Sequence, residues 1–393
     1  MHFTEEHEAL RKSIEGFVAK EINPHTEAWE RECIFPAHEL FKKMGDQGFL
    51  GITRDPEYGG MGLDFTYAVV MAEALGKCLA GGVAMAIGVH TDMCTPALAN
   101  FGSDELKRNY LAPSIAGDMV GCVGISESGG GSDVAALRTT AVHDGDDYII
   151  NGEKMWITNG TQADWMCMLA NTSDGKPHQN KSLIIVPMDA KGIHVEKKLE
   201  KMGMCASDTA LIHFDNVRVP RKNLIGEMEG LGFMQQMAQF QDERIWGAAN
   251  AASGLREALN LTIQYCRDRK TFGQPLIDNQ FIHFKIAELS SEVESLRSLV
   301  YRTVDLQIER NDPFDMEVVR LASMAKFKAG RLSREVLDWC VQFHGGMGYV
   351  TETQINRMFR DCRLVSIGGG ADEIMLGVIA KLEGYLPGKK KDA

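Results

Sequence analysis

The sequence predicts an α+β fold with an N-terminal helical domain, a middle β domain and a C-terminal four-helix bundle. Its 393 residues are too many for one small domain. Apolar residues recur with helical spacing before residue 123 and after residue 228, whereas short β-type runs occupy the segment between. We therefore predict domain limits at 1–122, 123–228 and 229–393.

The N-terminal domain is predicted to begin with a helix that Thr4 caps. Apolar side chains then share one helical face: Leu10, Ile14, Phe17, Val18 and Ile22. Pro36 begins a second helix, since proline suits the first helical position. Beyond the loop RDPEYGGMGLD, a pattern rich in small residues predicts helix over 67–76 and again over 83–101.

In the middle domain, Asn151-Gly152 stands between two β-type runs, which predicts a hairpin turn. Three further strands are predicted from SLIIVPMD, GIHVEK and TALIHFDNVRVP. In the C-terminal domain, four helical segments predict the bundle, over residues 235–269, 280–310, 317–345 and 371–385. The tail GKKKDA is expected to fray.

The composition excludes several classes of function. A net charge of -12 argues against general nucleic-acid binding, which needs a basic face. The nine cysteines are scattered without zinc spacing, so we expect reduced thiols and no metal. No apolar run is long enough for a membrane span. The N-terminus enters an amphipathic helix directly, so we expect a cytoplasmic protein and leave a processed mitochondrial-matrix form open.

Two segments of the middle domain are candidate sites. Gly124–Val134 (GISESGGGSDV) lacks the dinucleotide fingerprint and is either a polar loop or a binding loop. Trp156 and Thr158 alternate along a strand and point the same way. They suit a planar heteroaromatic ligand by stacking and hydrogen bonding, or Trp156 is simply half-buried on a sheet face.

Three segments of the C-terminal domain are also candidates. Arg267, Arg269 and Lys270 could clamp a pyrophosphate, or could merely complement a helix C-terminus. The glycines of QFHGGMGYVTE either form a binding loop or a turn between helices. IGGGADEIM places three glycines before a helix start, an arrangement that can hold an anion.

The order of these motifs resembles the acyl-CoA dehydrogenase family, and the resemblance extends from Phe3 to about Tyr385. It rests on ISESGGGSDV, EKMWITNG, SDTALIHFDNVRVP, CRDRKTFGQP, QFHGGMGY and GGGADEIM. The resemblance implies bound FAD and a homotetramer. It also implies oxidation of the Cα–Cβ bond of an acyl-CoA to a trans-2-enoyl-CoA, with electrons passing to an electron-transfer flavoprotein.

The resemblance also implies site residues. Those expected to contact FAD within one chain are Val123, Ile125, Ser126, Gly131, Ser132, Trp156, Ile157, Thr158, Ala371, Asp372 and Glu373. Those expected to reach FAD from a neighbouring subunit are Arg269, Phe272, Gln280, Gln342, Phe343, Gly345 and Gly346. Those expected near the substrate are Ser132, Asp242, Arg244, Gly369 and Gly370. Cys205 replaces an Arg or Lys of many relatives, so CoA contacts near it are expected to differ.

The reaction needs a base near the substrate Cα, and the resemblance directs the choice. Much of the family carries a glutamate in the loop before the final helix, where this chain has Gly369. Isovaleryl and long-chain types carry it on the first long helix of the bundle, where this chain has Glu243. We expect Glu243 to be the base, because Asp372 and Glu373 fall in a helix first turn that favours acids anyway.

Analogy with those types suggests a branched or medium-to-long acyl chain, citronellyl-CoA-like or isovaleryl-CoA-like. Two alternatives remain open at this stage. One is a flavin-dependent oxidase or monooxygenase on the same fold. The other is a non-catalytic acyl-CoA-binding protein in which Gly369 marks an inactive site, although Glu243 argues against it.

Overall fold

A computed structural model of the chain describes residues 1–386, so the predicted frayed tail at 388–393 lies outside the described residues. The N-terminal region contains α1 Glu5–Phe17, α2 Thr26–Glu32, α3 Ala37–Asp46, α4 Phe65–Leu75, α5 Gly81–Gly88, α6 Thr95–Phe101, α7 Asp104–Leu106 and α8 Ala112–Ile115. Thr4 caps α1 and Pro36 precedes α3, as predicted. The sequence pattern missed α2, and the helix predicted over 83–101 is interrupted by a π-helical turn at Val89–Cys94.

The middle region forms one seven-stranded sheet. Its strands are β1 Gly121–Gly124, β2 Thr140–Asp144, β3 Asp147–Thr158, β4 Trp165–Asn171, β5 Lys181–Pro187, β6 Ile193–Lys198 and β7 Thr209–Pro220. The order is β1-β4-β2-β3-β7-β6, and β5 also pairs with β4. The three strands predicted from single motifs correspond to β5, β6 and β7.

The hairpin predicted at Asn151-Gly152 is wrong, because both residues lie inside β3. Gly152 has φ 144° and marks a shift of register against β7. A Cβ atom there would lie 2.8 Å from the Thr139 Cα, so glycine allows a close backbone approach at this bulge. The turn that joins β2 to β3 instead contains Gly145, at φ 64°.

The C-terminal region contains α9 Gly232–Asp268, α10 Gln280–Arg310, α11 Met316–His344, α12 Gln354–Cys362 and α13 Asp372–Leu382. Between α9 and α10 lies a small hairpin, β8 Lys270–Thr271 and β9 Gln274–Pro275. The predicted four-helix bundle corresponds to α9, α10, α11 and α13, whereas α12 was not predicted.

One hydrophobic core joins the N-terminal helices to the bundle. Val69 and Leu75 of α4 belong to the same buried cluster as Ile245 and Leu255 of α9. The sheet has separate clusters on its two faces. The shared core fixes α9, which carries Glu243, against the N-terminal helices.

All nine cysteines lie within the described residues and have free thiols. Across residues 1–386, no helix combines the length and apolarity that crossing a membrane requires. The same residues contain no group of three or more His, Cys, Asp or Glu side chains placed to hold a metal ion.

Candidate active site

Glu243 and Gly369 lie against each other although 126 residues apart in sequence. Glu243 projects from α9, and Gly369 belongs to the loop before α13, where it adopts φ 64°. A Cβ atom built on Gly369 would lie 2.9 Å from Glu243 Oε1. The two sequence positions expected to hold a base therefore converge on one point in space, and only one of them carries a carboxylate.

The surroundings of Glu243 suit a proton-abstracting carboxylate. Burial raises the pKa of Glu243, against the opposing effect of the positive charges of Arg244 and Lys326. Within residues 1–386 its carboxylate has no hydrogen-bond partner. One turn later, a Cβ atom on Gly247 would find no atom within 4 Å, so the same face of α9 borders open space.

The neighbours of Glu243 on α9 point in different directions. Arg244 is buried, and its Nη1 donates to Gln241 Oε1 at 3.2 Å. Asp242 instead accepts a hydrogen bond of 2.6 Å from Gln307 of α10, and burial raises its pKa to about 6. The structure therefore pairs Asp242 with α10, and its expected substrate contact stays a prediction.

The loop around Gly369 ends at α13, whose first residues differ in exposure. Asp372 is buried and accepts hydrogen bonds from Arg331 Nε (3.2 Å) and Arg334 Nη2 (3.3 Å) of α11. Glu373 is exposed, and Ala371 is partly buried. Asp372 is held by arginines on α11, and Glu373 points to solvent. Neither acid of this first turn therefore shares the position of Glu243.

The segment expected to face the flavin is built around a bulge in β3. Trp156 has φ 66° and a side chain 60% exposed, whereas Ile157 is only 2% exposed. The pairing of β3 with β7 shifts between Met155 and Ile157, so Ile157 faces the core while Trp156 and Thr158 face outward. An exposed indole held by a strained backbone suits stacking on a planar ring.

The loop after β1 lies beside this bulge. The Met155 amide donates to the Ser126 carbonyl at 2.9 Å. A Cβ atom on Gly131 would lie 3.5 Å from Ser126 Oγ, so these two predicted residues are neighbours. Val123 and Ile125 precede them along the chain, and Ser132 is exposed. The structure therefore brings Ser126 and Gly131 next to the bulge that carries Trp156, and the flavin contacts expected of this group stay a prediction.

A buried ion pair, which the sequence patterns did not single out, supports that place. Lys154 Nζ donates to Glu127 Oε1 and to the Ile125 carbonyl, both at 3.0 Å. Glu127 also accepts from the backbone amides of Arg138 and Thr139. Burial lowers the pKa of Lys154 to about 8, although Glu127 opposes the shift. The pair locks the loop after β1 onto β3.

Helix α5 connects the two halves of the candidate site. Asn159, directly after β3, donates from Nδ2 to the Ala86 carbonyl of α5 at 3.1 Å. On the same helix, a Cβ atom on Gly88 would lie 2.7 Å from the Trp246 ring of α9. The strand end that carries Trp156 and the helix that carries Glu243 thus pack on one eight-residue helix. An exposed indole, a glycine loop and a partly buried carboxylate in this arrangement fit a flavin and a thioester.

A second group of predicted residues lies at the far end of the bundle. Arg269 and Phe272 belong to the β8–β9 region, and Phe272 is fully exposed. Tyr265 Oη donates to the His344 carbonyl at 3.1 Å, which holds the end of α11 beside α9. The same end contains Gln280, Gln342, Phe343, Gly345 and Gly346. Since α9 rises 1.5 Å per residue, about 40 Å separate Glu243 from Arg269, too far for one FAD to contact both.

The sequence patterns also missed Lys326, which approaches Gly369 from α11. A Cβ atom on Gly369 would lie 3.8 Å from its Cε, and the lysine is only 6% exposed. Its signal in the sequence is a lysine among the small buried residues Ala322, Ala325 and Ala329. Cys205, where the family pattern differs, is partly buried, and its Sγ lies 3.6 Å from the Lys201 carbonyl.

Comparison with known proteins agrees with the fold. The family model of the acyl-CoA dehydrogenase N-terminal domain matches residues 4–118, that of the middle domain residues 122–217 and that of the C-terminal domain residues 230–383. The mouse mitochondrial short-chain specific acyl-CoA dehydrogenase is 36% identical over 96% of this chain and 89% of its own length. The pig mitochondrial long-chain specific enzyme is 36% identical over 96% of this chain and 86% of its own.

Among solved structures, an acyl-CoA dehydrogenase from Geobacillus kaustophilus superposes with a TM-score of 0.92 at 37% identity, over 97% of this chain and 98% of that one. Fold, motif order and sequence identity thus agree over nearly the whole chain. The chain therefore belongs to the acyl-CoA dehydrogenase family of FAD-dependent oxidoreductases.

Proposed function

We propose that this protein dehydrogenates an acyl-CoA to a trans-2-enoyl-CoA with Glu243 as the base that removes the α-proton. The observation that carries the proposal is the contact between Glu243 and the space above Gly369. Family members with a loop glutamate would place its side chain in that space. Here the carboxylate reaches the same point from α9.

Each residue of the site has a task in this proposal. Glu243 is partly buried, and loss of solvation raises the pKa of its carboxylate, so it takes a proton more readily than an exposed glutamate. The amides of Gly369 and Gly370 donate to no other atom of residues 1–386, which leaves both N–H groups for the thioester carbonyl. Trp156 and Thr158 would hold the flavin ring. FAD, when bound, accepts the hydride that leaves Cβ.

We propose a branched or medium-to-long acyl chain as the substrate. The open space beside Gly247 supports this proposal, because it could accommodate a branched or long acyl group near the substrate Cα. The relatives named for short and for long chains are equally similar to this chain, so their names do not select a length. A panel of straight and branched acyl-CoAs compared by kcat/KM tests this part of the proposal.

We further propose a homotetramer in which FAD lies between subunits, and an electron-transfer flavoprotein as acceptor. The separation of Glu243 from Arg269 supports sharing, because only a second chain could bring the Arg269 group to the same FAD. Exposed Phe272 supports burial of that end in an assembly. Gel filtration of the FAD-loaded protein tests the assembly. A cytoplasmic location stays a prediction, which cell fractionation would test.

The central experiment adds acyl-CoAs to the purified yellow protein without oxygen and follows the flavin absorbance. We expect bleaching with at least one acyl-CoA, and its absence with all straight and branched chains would overturn the dehydrogenase proposal. Rapid reoxidation in air with peroxide release would assign an oxidase instead. The Glu243→Gln variant should keep FAD and lose about 10²–10⁴-fold in kcat. The matched control is Glu294→Gln on α10, where the exposed carboxylate pairs with Arg297 outside the candidate site, and it should bleach normally.

A further inference from the structure

Lys326 spans the loop that carries Gly369. It projects from the middle of α11, and its Nζ donates to the carbonyls of Val365 (2.5 Å) and Gly370 (2.6 Å). These two carbonyls flank the segment from Ser366 to Gly369. A single buried ammonium group therefore ties together both ends of the glycine loop.

The loop has few other restraints. Its consecutive glycines contribute no side chains, and glycine has more backbone freedom than any other residue. Ile367 and Gly368 donate to the Leu364 carbonyl, whereas the amides of Gly369 and Gly370 donate to no atom of residues 1–386. Charge-assisted hydrogen bonds are about twice as strong as neutral ones, so the two bonds from Lys326 are the strongest contacts that hold this end of the loop.

Lys326 also lies close to the base. Its Cε and Glu243 Oε1 are both within 4 Å of the position that a Cβ atom on Gly369 would take. The charged groups that face its ammonium are Glu243 and Arg244 of α9 and Asp372 of α13. Burial lowers the pKa of Lys326 to about 8, while Asp372 and Glu243 oppose the shift. In its charged form, Lys326 keeps the pKa of Glu243 from rising further.

We propose that Lys326 is a positioning residue: it holds the glycine loop at the distance from Glu243 at which a thioester can bind between them, and it favours the ionised carboxylate. This inference rests on the proposed function for its role in turnover. The restraint on the loop is a property of the chain itself and can be measured without turnover.

The test compares Lys326→Met, Lys326→Arg and the control Lys328→Met. Lys328 lies two residues further on α11, and its ammonium bonds to Glu292 away from the loop. In hydrogen–deuterium exchange of the FAD-loaded protein, peptides covering 364–375 should exchange at least tenfold faster in Lys326→Met. Lys326→Arg and Lys328→Met should exchange like the unsubstituted protein. Unchanged exchange in Lys326→Met would overturn the restraint, whatever the activity of the enzyme.

Turnover and its pH dependence test the proposed effect of Lys326 on thioester binding and on the ionisation of Glu243. Lys326→Met should lose about 100-fold in kcat/KM and bind a non-oxidisable thioether analogue of the acyl-CoA less tightly, with partial rescue in Lys326→Arg. The acidic limb of its kcat/KM profile should move to higher pH, because one charge that favours ionised Glu243 is gone. A loss of thermal stability with kcat/KM within threefold of the unsubstituted enzyme would show a packing role only. An unsubstituted enzyme that oxidises no acyl-CoA would refute the proposed function but leave the exchange result in force.

Discussion

Replacing Gly369 by alanine should impair catalysis, because the added Cβ atom would lie too close to the carboxylate of Glu243. The added Cβ would lie 2.9 Å from Glu243 Oε1, whereas optimal contacts between such atoms are about 3.5 Å apart. The carboxylate at the end of a flexible side chain can relieve the clash by moving about 0.5 Å or more. Since a misplacement of about 1 Å can cost 100-fold in rate, we expect kcat to fall about 10- to 100-fold.

The same substitution should destabilise the fold only modestly. Gly369 has φ 64°, a left-handed conformation that costs a non-glycine residue about 1–2 kcal/mol. For a chain of this size, that corresponds to a decrease of only a few degrees in Tm. FAD should stay bound, because the clash involves Glu243 and not the residues of the flavin face. Steady-state kinetics, flavin absorbance and thermal unfolding measure the three expectations.

The control is Gly377→Ala, in which an added Cβ on α13 meets no atom within 4 Å. It should keep its kcat and unfold at the same or a slightly higher temperature, since alanine favours helix over glycine by up to about 1 kcal/mol. A Gly369→Ala enzyme with kcat within twofold of the unsubstituted one would refute the reasoning. In that case the productive complex does not use the observed approach of Glu243 to the loop.

Three further predictions concern the base and the flavin face. Because burial raises the pKa of Glu243, the acidic limb of the kcat/KM profile should have a pKa above that of an ordinary glutamate, and kcat/KM should rise as Glu243 loses its proton. An acidic limb at or below the ordinary pKa of glutamate would contradict this expectation. Glu127→Gln should leave Lys154 buried without its charged partner and lower the unfolding free energy by about 3–5 kcal/mol. The FAD-to-protein ratio should also fall. An unchanged Tm would show that the ion pair does not stabilise the fold. Trp156→Ala should weaken FAD retention. The Tm of the apoprotein should stay within about 2 °C of that of the unsubstituted apoprotein, because the 60% exposed indole contributes little to the core. An undiminished FAD content would show that Trp156 does not contact the flavin.

The overall architecture could be predicted because it depends on local patterns. Long apolar repeats give α9, α10 and α11, and short β-branched runs give β5 and β7. The short helices α2 and α12 were missed, since packing against the core stabilises them more than their own sequence does. The false hairpin at Asn151-Gly152 has a related cause: the dipeptide is compatible with a turn, but pairing across β7 and close contact with Thr139 make it a bulge.

The candidate site divides in the same way. Glu243 could be proposed from the resemblance, because a glycine at 369 leaves the base position in the loop without a carboxylate. Its contact with Gly369 could not be read from the sequence, since it depends on the packing of α9 against the loop before α13. Lys326 was missed because its one signal, a lysine among small residues of a helix, does not identify a site without the three-dimensional contacts. Only its two bonds to the carbonyls of Val365 and Gly370 reveal its position.

The 37-residue helix α9 is uninterrupted from Gly232 to Asp268, and it has a genetic consequence. The first half of α9 carries Glu243, the proposed base, and its C-terminal end leads to Arg269, which the proposed assembly assigns to a different active site. Chains damaged at opposite ends of α9 should therefore complement each other. When Glu243→Gln and Arg269→Ala chains assemble together, some hybrid sites combine an intact Glu243 from one chain with an intact Arg269 from the other. Each variant alone should be inactive, whereas tetramers that contain both chains should regain part of the activity.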